Sequence, residues 1–390
     1  MIENTTKMME NTTVAHDDVW ERLRQKLDGM TKGYPKTEKG YEYPFLQKVF
    51  TPELAEAFIK FPRGFQSIDD IAGFLEVTPE RAKEIVDQMD ERHLVYWKNF
   101  GLERKYRIVP FIHGVWEFNV AVIDKQDAKN MGGIYMGGWA KSYMDYETPM
   151  DRVIPYHADQ VKDGKLLPID DMERIIRSRN LIVVTDCPCR TVAKFSRKHC
   201  SCTDEVNVCL QFNETAEFYL EENIGHPRVI SAEEALEIMR KAEKAGYVIQ
   251  TSHTKDAAGM CNCPPCHCGL LMAAKIDLGS CFQNWSNYRC VHNEETCNSC
   301  GRCVARCTLN ALHFEGEGEE RKVVLDPHKC MGCGLCVGVC PTESVILERK
   351  PDDELTLPQD DEFYDLLDRH GLERARIDAA RAAQAAEKEN

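Results

Sequence analysis

The chain has 390 residues, of which 19 are cysteine, and a formal net charge of −15. That acidic balance argues against general nucleic-acid binding, which relies on a basic surface, and the length allows two or three domains, each with its own core. No secretory apolar segment, twin-arginine signal or apolar run of membrane-spanning length is present, so a soluble, cytoplasmic chain with no membrane insertion is expected. Its cysteines, kept reduced there, point to metal ligation.

Residues 1–45 read as a polar leader that opens MIENTTKMMENTT; the Asn-Thr-Thr sequons at Asn4 and Asn11 lack the export signal that glycosylation would need. From 46 to 120 the pattern predicts three helices and a hairpin. Thr51-Pro52 opens the first helix, which runs to Phe61. Ser67 caps the second, with Ile68, Ile71, Ala72 and Leu75 on its apolar face, and Thr78-Pro79 opens the third, with Ala82, Ile85, Val86 and Met89 on one side. Two strands, LVYWKN and KYRIV, flank a turn at Gly101. This order is similar to a winged helix, a fold that serves DNA readers and protein-docking modules alike. Across 80–92, Glu80, Glu84, Asp87, Asp90 and Glu91 stand against Arg81, Lys83 and Arg92, a net −2 on the helix that would meet phosphate. Lys98, Arg104, Lys105 and Arg107 on the hairpin are the cations that would serve DNA binding, and a solvated hairpin accounts for them equally.

Residues 121–165 read as a connecting segment. Its MGGIYMGGW run resembles no phosphate loop, because Lys141-Ser142 lacks the preceding glycine spacing, and it is expected to be a flexible loop. Residues 166–290 read as a small α/β cysteine-rich domain. Asp170 or Asp171 begins a helix with Met172, Ile175 and Ile176, and the strand LIVVT leads into Cys187-Pro188-Cys189-Arg190. A second round has Ser231 and Glu234 as a capping box, Leu236 and Met239 on the apolar face, Gly246 as the stop, and the strand YVIQT ahead of Cys261-Asn262-Cys263. Paired thiolates two residues apart can reach one metal or neighbouring corners of a cluster, which makes Cys187, Cys189, Cys200, Cys202, Cys209, Cys261, Cys263, Cys266 and Cys268 the candidate metal ligands of this region. His199 and His267 are read as neighbours rather than ligands, Cys281 and Cys290 as structural or free, and Arg190, Lys194, Arg197 and Lys198 as an exposed basic loop.

Residues 291–350 carry two runs with the spacing C-x2-C-x2-C-x3-C: Cys297, Cys300, Cys303, Cys307, then Cys330, Cys333, Cys336, Cys340 followed by Pro341. The runs begin 33 residues apart and repeat their surroundings, with Gly301, Gly332 and Gly334 where backbone must approach a bound group; Thr308 stands where a proline often follows the fourth cysteine. Thiolates at every third residue let one tight loop take three corners of an iron–sulfur cube, and the fourth ligand comes from elsewhere. The segment resembles the bacterial two-cluster (dicluster) ferredoxins. The resemblance implies that Cys297, Cys300, Cys303 and Cys340 hold one 4Fe-4S cluster and that Cys330, Cys333, Cys336 and Cys307 hold a second. With the middle cysteines, the chain from Cys187 onward resembles a group of multi-cluster iron–sulfur proteins of anaerobic bacteria and archaea, with departures at Pro264 and His267. That implies one or two additional iron–sulfur clusters in the middle domain, ahead of zinc.

Residues 351–390 form an acidic linker, PDDELTLPQDDEF, and a helix with Phe363, Leu366, Leu367 and Leu372 on one side, expected to fold back on its own domain and fray beyond about Ala380. The expected fold class is therefore α+β and multidomain. No dinucleotide fingerprint, phosphate loop, flavin motif or hydrolase triad is present. The expected function is single-electron transfer to a redox protein or catalytic oxidoreductase subunit in a hetero-oligomer. The alternatives are a reductase acting at a middle-domain cluster and a cluster-sensing regulator using the winged helix, with nucleic acid the less favoured partner.

Overall fold

A computed structural model describes residues 19–140, 149–157, 160–164, 166–196, 203, 205–275, 286–359 and 362–389. Asn4, Asn11, Lys141, Ser142, Arg197, Lys198, His199, Cys200, Cys202 and Cys281 lie outside the described residues.

Helices lie inside the stretch read as a leader. From Val19 the chain is already helical, α1 (Val19–Asp28), and α2 (Tyr43–Val49) follows. Leu23 and Leu27, one turn apart, are fully buried in the core shared with α3 (Pro52–Lys60), and Arg24 joins Glu21 at 3.1 Å beneath the surface. The polarity of α1 concealed this, because its charged residues are ion-paired rather than solvated. Downstream, the three expected helices form with their expected caps: Thr51 on α3, Ser67 on α4 (Ile68–Leu75) and Thr78 on α5 (Pro79–Glu91). Strands β1 (Val95–Phe100) and β2 (Glu103–Ile108) make the hairpin, with Gly101 at φ +67° in its turn.

The hairpin cations are spent inside the chain. Lys98 reaches Glu214 at 2.8 Å and Glu362 at 2.6 Å, Arg104 reaches Glu221 at 2.8 Å and stacks on Trp97, and Lys105 meets Glu103 at 3.5 Å. Arg107 is buried and donates to Asp368 at 2.6 Å.

The MGGIYMGGW segment is helical rather than a loop. Asp124 and Asp127 form a capping box that starts α6 (Lys125–Ile134), and an irregular turn over Tyr135–Trp139 extends it. The glycines let the helix approach the Tyr41 ring, which would lie 2.3 Å from a side-chain carbon at Gly133.

The middle domain is built on an antiparallel sheet, not an α/β crossover pattern. Its order is β3 (Asp151–Ile154), β7 (Val248–Ser252), β8 (Gly259–Cys263), β5 (Asn207–Phe212), β4 (Ile182–Asp186), β6 (Arg228–Val229), with every neighbouring pair antiparallel. The two expected helices are present as α7 (Met172–Arg177), capped by Asp171, and α10 (Ala232–Ala245), capped by Ser231 and stopped by Gly246. Between them lie α8 (Pro188–Ser196) and α9 (Asn213–Glu221). The second C-x-C pair does not end YVIQT: that strand turns back, and the pair lies on the returning strand β8. Strand β3 comes from the stretch read as a connector.

After α11 (Gly269–Lys275), β9 (Tyr288–His292) pairs with β12 (Val345–Arg349), and β10 (Leu312–Glu315) with β11 (Lys322–Leu325), so two small antiparallel sheets accompany the two cysteine runs, and the short helix α12 (Arg302–Arg306) lies within the first run. The final helix, α13 (Phe363–Glu389), folds back: Tyr364, Leu366 and Leu367 are buried, and Arg374 holds Asp28 of α1. Leu372, expected on the apolar side, is 60% exposed.

Asp90 on α5 has one carboxylate oxygen buried without a hydrogen-bond partner, and burial together with Glu222 pushes its pKa up to about 7. The folded state therefore keeps a proton that the unfolded chain releases near about 4, and stability falls as pH rises through 7. Asp90→Asn is expected to abolish that fall and to stabilise the N-terminal module at pH 8 by on the order of 1–2 kcal/mol, with little change at pH 4. Denaturant unfolding followed by tryptophan emission at both pH values checks this.

Candidate metal centres

Pairing register brings the middle cysteines together. Thr185 on β4 is opposite Cys209 on β5; the β5–β8 register continues to Cys261, and Cys261 is opposite Gln250 on β7. One row of side chains thus crosses four strands on one face. Cys263 shares that face with Cys261 because strand side chains alternate, which is why a C-x-C pair on a strand can present both thiols to one place. Cys187 directly follows β4, Cys189 lies in the first turn of α8, and Cys268 directly precedes α11.

All six of these cysteines line one cavity of about 460 Å³. Cys187 is hydrogen-bonded to Cys189, which together with burial pushes its thiol well up against the opposing bond to Cys263; Cys209 and Cys261 form a second pair, in which Cys209 is lowered and Cys261 raised. The Cys268 thiol, raised to about 11 by burial, accepts from Gln250 Nε2 at 3.8 Å, and Gln211 Nε2 donates to Cys209 at 3.4 Å. Cys261 keeps accessible surface although protein encloses it; that surface is the cavity wall. Cys266 sits between Cys263 and Cys268 but off this wall.

Arg190, expected in an exposed basic loop, is 3% exposed within α8. Its guanidinium donates to the Asn262 carbonyl at 2.6 Å, to Asn262 Oδ1 at 2.8 Å and to the Glu205 carbonyl at 3.0 Å, and its charge faces Cys263 and Cys187. A fixed cation there opposes the burial penalty on thiolates, the form that binds metal. Aromatic rings line the same cavity: Trp116, Phe118, Tyr135, Trp139, Tyr219 and Tyr364. Charged and titratable groups line it too, Glu117, Asp186 and His267 among them: Lys32 meets Asp151 at 3.3 Å and His113 Nε2 stands 3.7 Å from the same carboxylate, which these partners hold low against the cost of burial.

In the ferredoxin-like segment Cys303 faces Cys336, Cys340 and Cys297, while Cys333 faces Cys336, Cys307 and Cys330. Backbone N–H groups aim at the sulfurs: Ser299 at Cys297 (3.4 Å), Ala311 at Cys307 (3.2 Å) and Gly332 at Cys330 (3.4 Å). Gly332 and Gly334 adopt φ of +62° and +76°, and a side-chain carbon there would lie 2.1 Å from the Tyr288 carbonyl oxygen and 2.5 Å from that of Tyr156. The second loop is therefore pressed onto the middle domain. Tyr156 N–H donates to the Cys333 carbonyl at 3.0 Å, and Arg306 donates to the carbonyls of Glu243 and Lys244 that end α10.

Cys290, read as structural or free, belongs with the second run. It lies on β9, its Sγ is 3.8 Å from Cys336 Sγ, and its backbone N–H donates to Cys330 Sγ at 3.4 Å. Hydrogen bonding with Cys290 lowers the Cys330 thiol to about 6. No spacing motif marks it; strand pairing of β9 with β12 is what brings it in.

Among the described residues, no three His, Cys, Asp or Glu side chains are arranged around a single metal-ion position. Cluster ligands need no such convergence, since each binds its own iron, so an all-thiolate donor set on glycine-bearing loops with N–H groups aimed at sulfur fits an iron–sulfur cluster. Residues 296–344 match the 4Fe-4S dicluster domain family, which makes this segment a ferredoxin-like domain that binds 4Fe-4S clusters. No curated protein and no solved structure matches the chain. No helix among the described residues is long and apolar enough to cross a membrane.

Cys290→Ser is expected to leave iron content unchanged while altering the EPR spectrum of the reduced protein, since hydrogen bonds to ligand sulfurs tune a cluster. Loss of about four irons in that variant would instead make Cys290 a ligand.

Proposed function

We propose that the chain is an iron–sulfur electron-transfer protein whose 291–350 segment holds two 4Fe-4S clusters and whose middle cysteines hold at least one more, in electronic contact with the second. The ligand sets are Cys297, Cys300, Cys303 and Cys340 for the first cluster and Cys330, Cys333, Cys336 and Cys307 for the second. The mutual facing of Cys303 with Cys340, and of Cys333 with Cys307, supports that exchange of fourth ligands. Cys187, Cys189, Cys209, Cys261, Cys263 and Cys268 are the donors offered to the further cluster.

One observation carries the reading. Met331 and Leu335, which flank Cys333, are 3% and 2% exposed and belong to the same apolar core as Cys187, Cys263 and Cys268. The second loop is thus not an appendage. It is part of the packing that holds the middle cysteines, and electrons entering at the first run have a continuous protein path toward the chamber. An external redox protein or oxidoreductase subunit supplies or takes them. The N-terminal module resembles a winged helix in element order, but its hairpin cations are ion-paired within the chain, which favours a structural or docking role over DNA reading.

Anaerobically purified protein is expected to contain about twelve to sixteen irons with matching acid-labile sulfide and no stoichiometric zinc. Cys263→Ser is expected to lose about four irons and keep the ferredoxin EPR signals. About eight irons, with or without zinc, would contradict the middle cluster.

A further inference from the structure

We infer that the Tyr156 hydroxyl donates a hydrogen bond to the cluster of the second cysteine run, so that a side chain of the middle domain raises that cluster's reduction potential. This rests on the reading of Cys333 as one of the ligands of that cluster.

The backbone of Tyr156 is clamped to the cysteine loop on both sides. Strand β3 is fixed by its pairing with β7, with Ile154 opposite Ile249, and Tyr156 follows two residues later. Its N–H donates to the Cys333 carbonyl at 3.0 Å, and its own carbonyl oxygen would lie 2.5 Å from a side-chain carbon at Gly334. The next residue extends the contact. A side-chain carbon at Gly338 would lie 2.2 Å from His157 Nε2, and that nitrogen meets Glu243 at 3.0 Å. The Tyr156 side chain thus leaves from a backbone with little room to shift.

The ring is 3% exposed and belongs to the apolar core that contains Met331 and Leu335, with Cys333 packed against it. Around its hydroxyl stand Cys333, Glu243 and Arg306, yet among the described residues Oη has no hydrogen-bond partner. A phenol buried in this way gives up its bonds to water, a cost that buried polar groups in folded proteins offset with a partner. Neither charged neighbour fills that place. The Glu243 carboxylate is held by His157, and Arg306 can only donate, as it does to the carbonyls of Glu243 and Lys244.

A cluster supplies the missing acceptor. Thiolate and sulfide sulfurs are anionic, and an O–H directed at them makes a charge-assisted bond. Backbone groups already serve this purpose at a neighbouring ligand, where Gly332 and Cys290 N–H both donate to Cys330 Sγ at 3.4 Å. Reduction adds negative charge to the sulfurs and strengthens each such bond, which favours the reduced form and raises the potential. Through Tyr156 the middle domain tunes a cluster whose ligands all lie outside it.

The test uses the anaerobically purified full chain. Tyr156→Phe keeps the ring and the backbone N–H and removes only the hydroxyl; Cys333→Ser identifies the signal of the second cluster by altering or removing it. In a redox titration followed by EPR, the ratio of reduced to oxidised second cluster at a given potential is expected to fall roughly tenfold in Tyr156→Phe, a drop of about 59 mV for a one-electron couple, with iron content unchanged. Proton ENDOR of the reduced wild-type chain is expected to show a coupling that exchanges in D2O and is missing from Tyr156→Phe.

An unchanged potential in Tyr156→Phe would overturn the inference, as would exchangeable couplings identical in the two proteins. A hydroxyl that is only an unpaired core group predicts both of those results, together with a higher unfolding midpoint in Tyr156→Phe. If Cys333→Ser alters a signal whose potential Tyr156→Phe leaves alone, the inference fails and the ligand assignment stands. Full iron and every signal intact in Cys333→Ser would overturn the assignment and the inference with it.

Discussion

The contact on which the rest of the structure depends is the seating of the second cysteine loop in the core of the antiparallel sheet. The Cys333 carbonyl oxygen accepts the Tyr156 N–H, Gly334 lies against the Tyr156 backbone, and Met331 and Leu335 are inside. Any substituent at Gly332 or Gly334 would push this loop off its neighbours. Two redox centres exchange electrons usefully when their separation is short and fixed, and for the proposed middle-domain cluster this close packing would fix it without a hinge. Arg306 at the C-terminus of α10 and the 3.0 Å pair of His157 with Glu243 lock the same interface from its rim.

The sheet then determines what the loop is seated against. Because β4, β5, β8 and β7 are antiparallel neighbours, one row of register places Thr185, Cys209, Cys261 and Gln250 side by side, and the strand ends add Cys187 and Cys263. Gathering thiols in an apolar interior raises the cost of ionising them, and the buried guanidinium of Arg190 offsets part of it. The N-terminal segments and α13 close the other side with aromatic rings. The chamber therefore exists only because the sheet, the 111–140 segment and the last helix are packed together.

Much of the local structure was legible. Caps and turn residues marked α3, α4, α5, α7 and α10 to within a residue or two, because Ser67, Thr78, Asp171 and Gly246 act on backbone only a few positions away. The two cysteine runs were legible for the same reason, their spacing being a local property of a loop that wraps a cluster. What escaped depended on partners distant in sequence. The antiparallel order could not be read, since YVIQT and GMCNC carry no signal that one turns back on the other. Cys290 joins the second run only through tertiary pairing, of β9 against β12. Arg190 looked like a surface cation because its acceptors, Asn262 and the Glu205 carbonyl, come from other segments. Helix α1 was hidden by charges that neutralise one another in the fold.

The most direct measurement is anomalous diffraction at the iron and zinc absorption edges from crystals grown without oxygen. Iron peaks at both loops of the 291–350 segment and a further iron peak among Cys209, Cys261, Cys263 and Cys187 are the expected result. Iron confined to the two loops, or a zinc peak among the middle cysteines, would contradict the account.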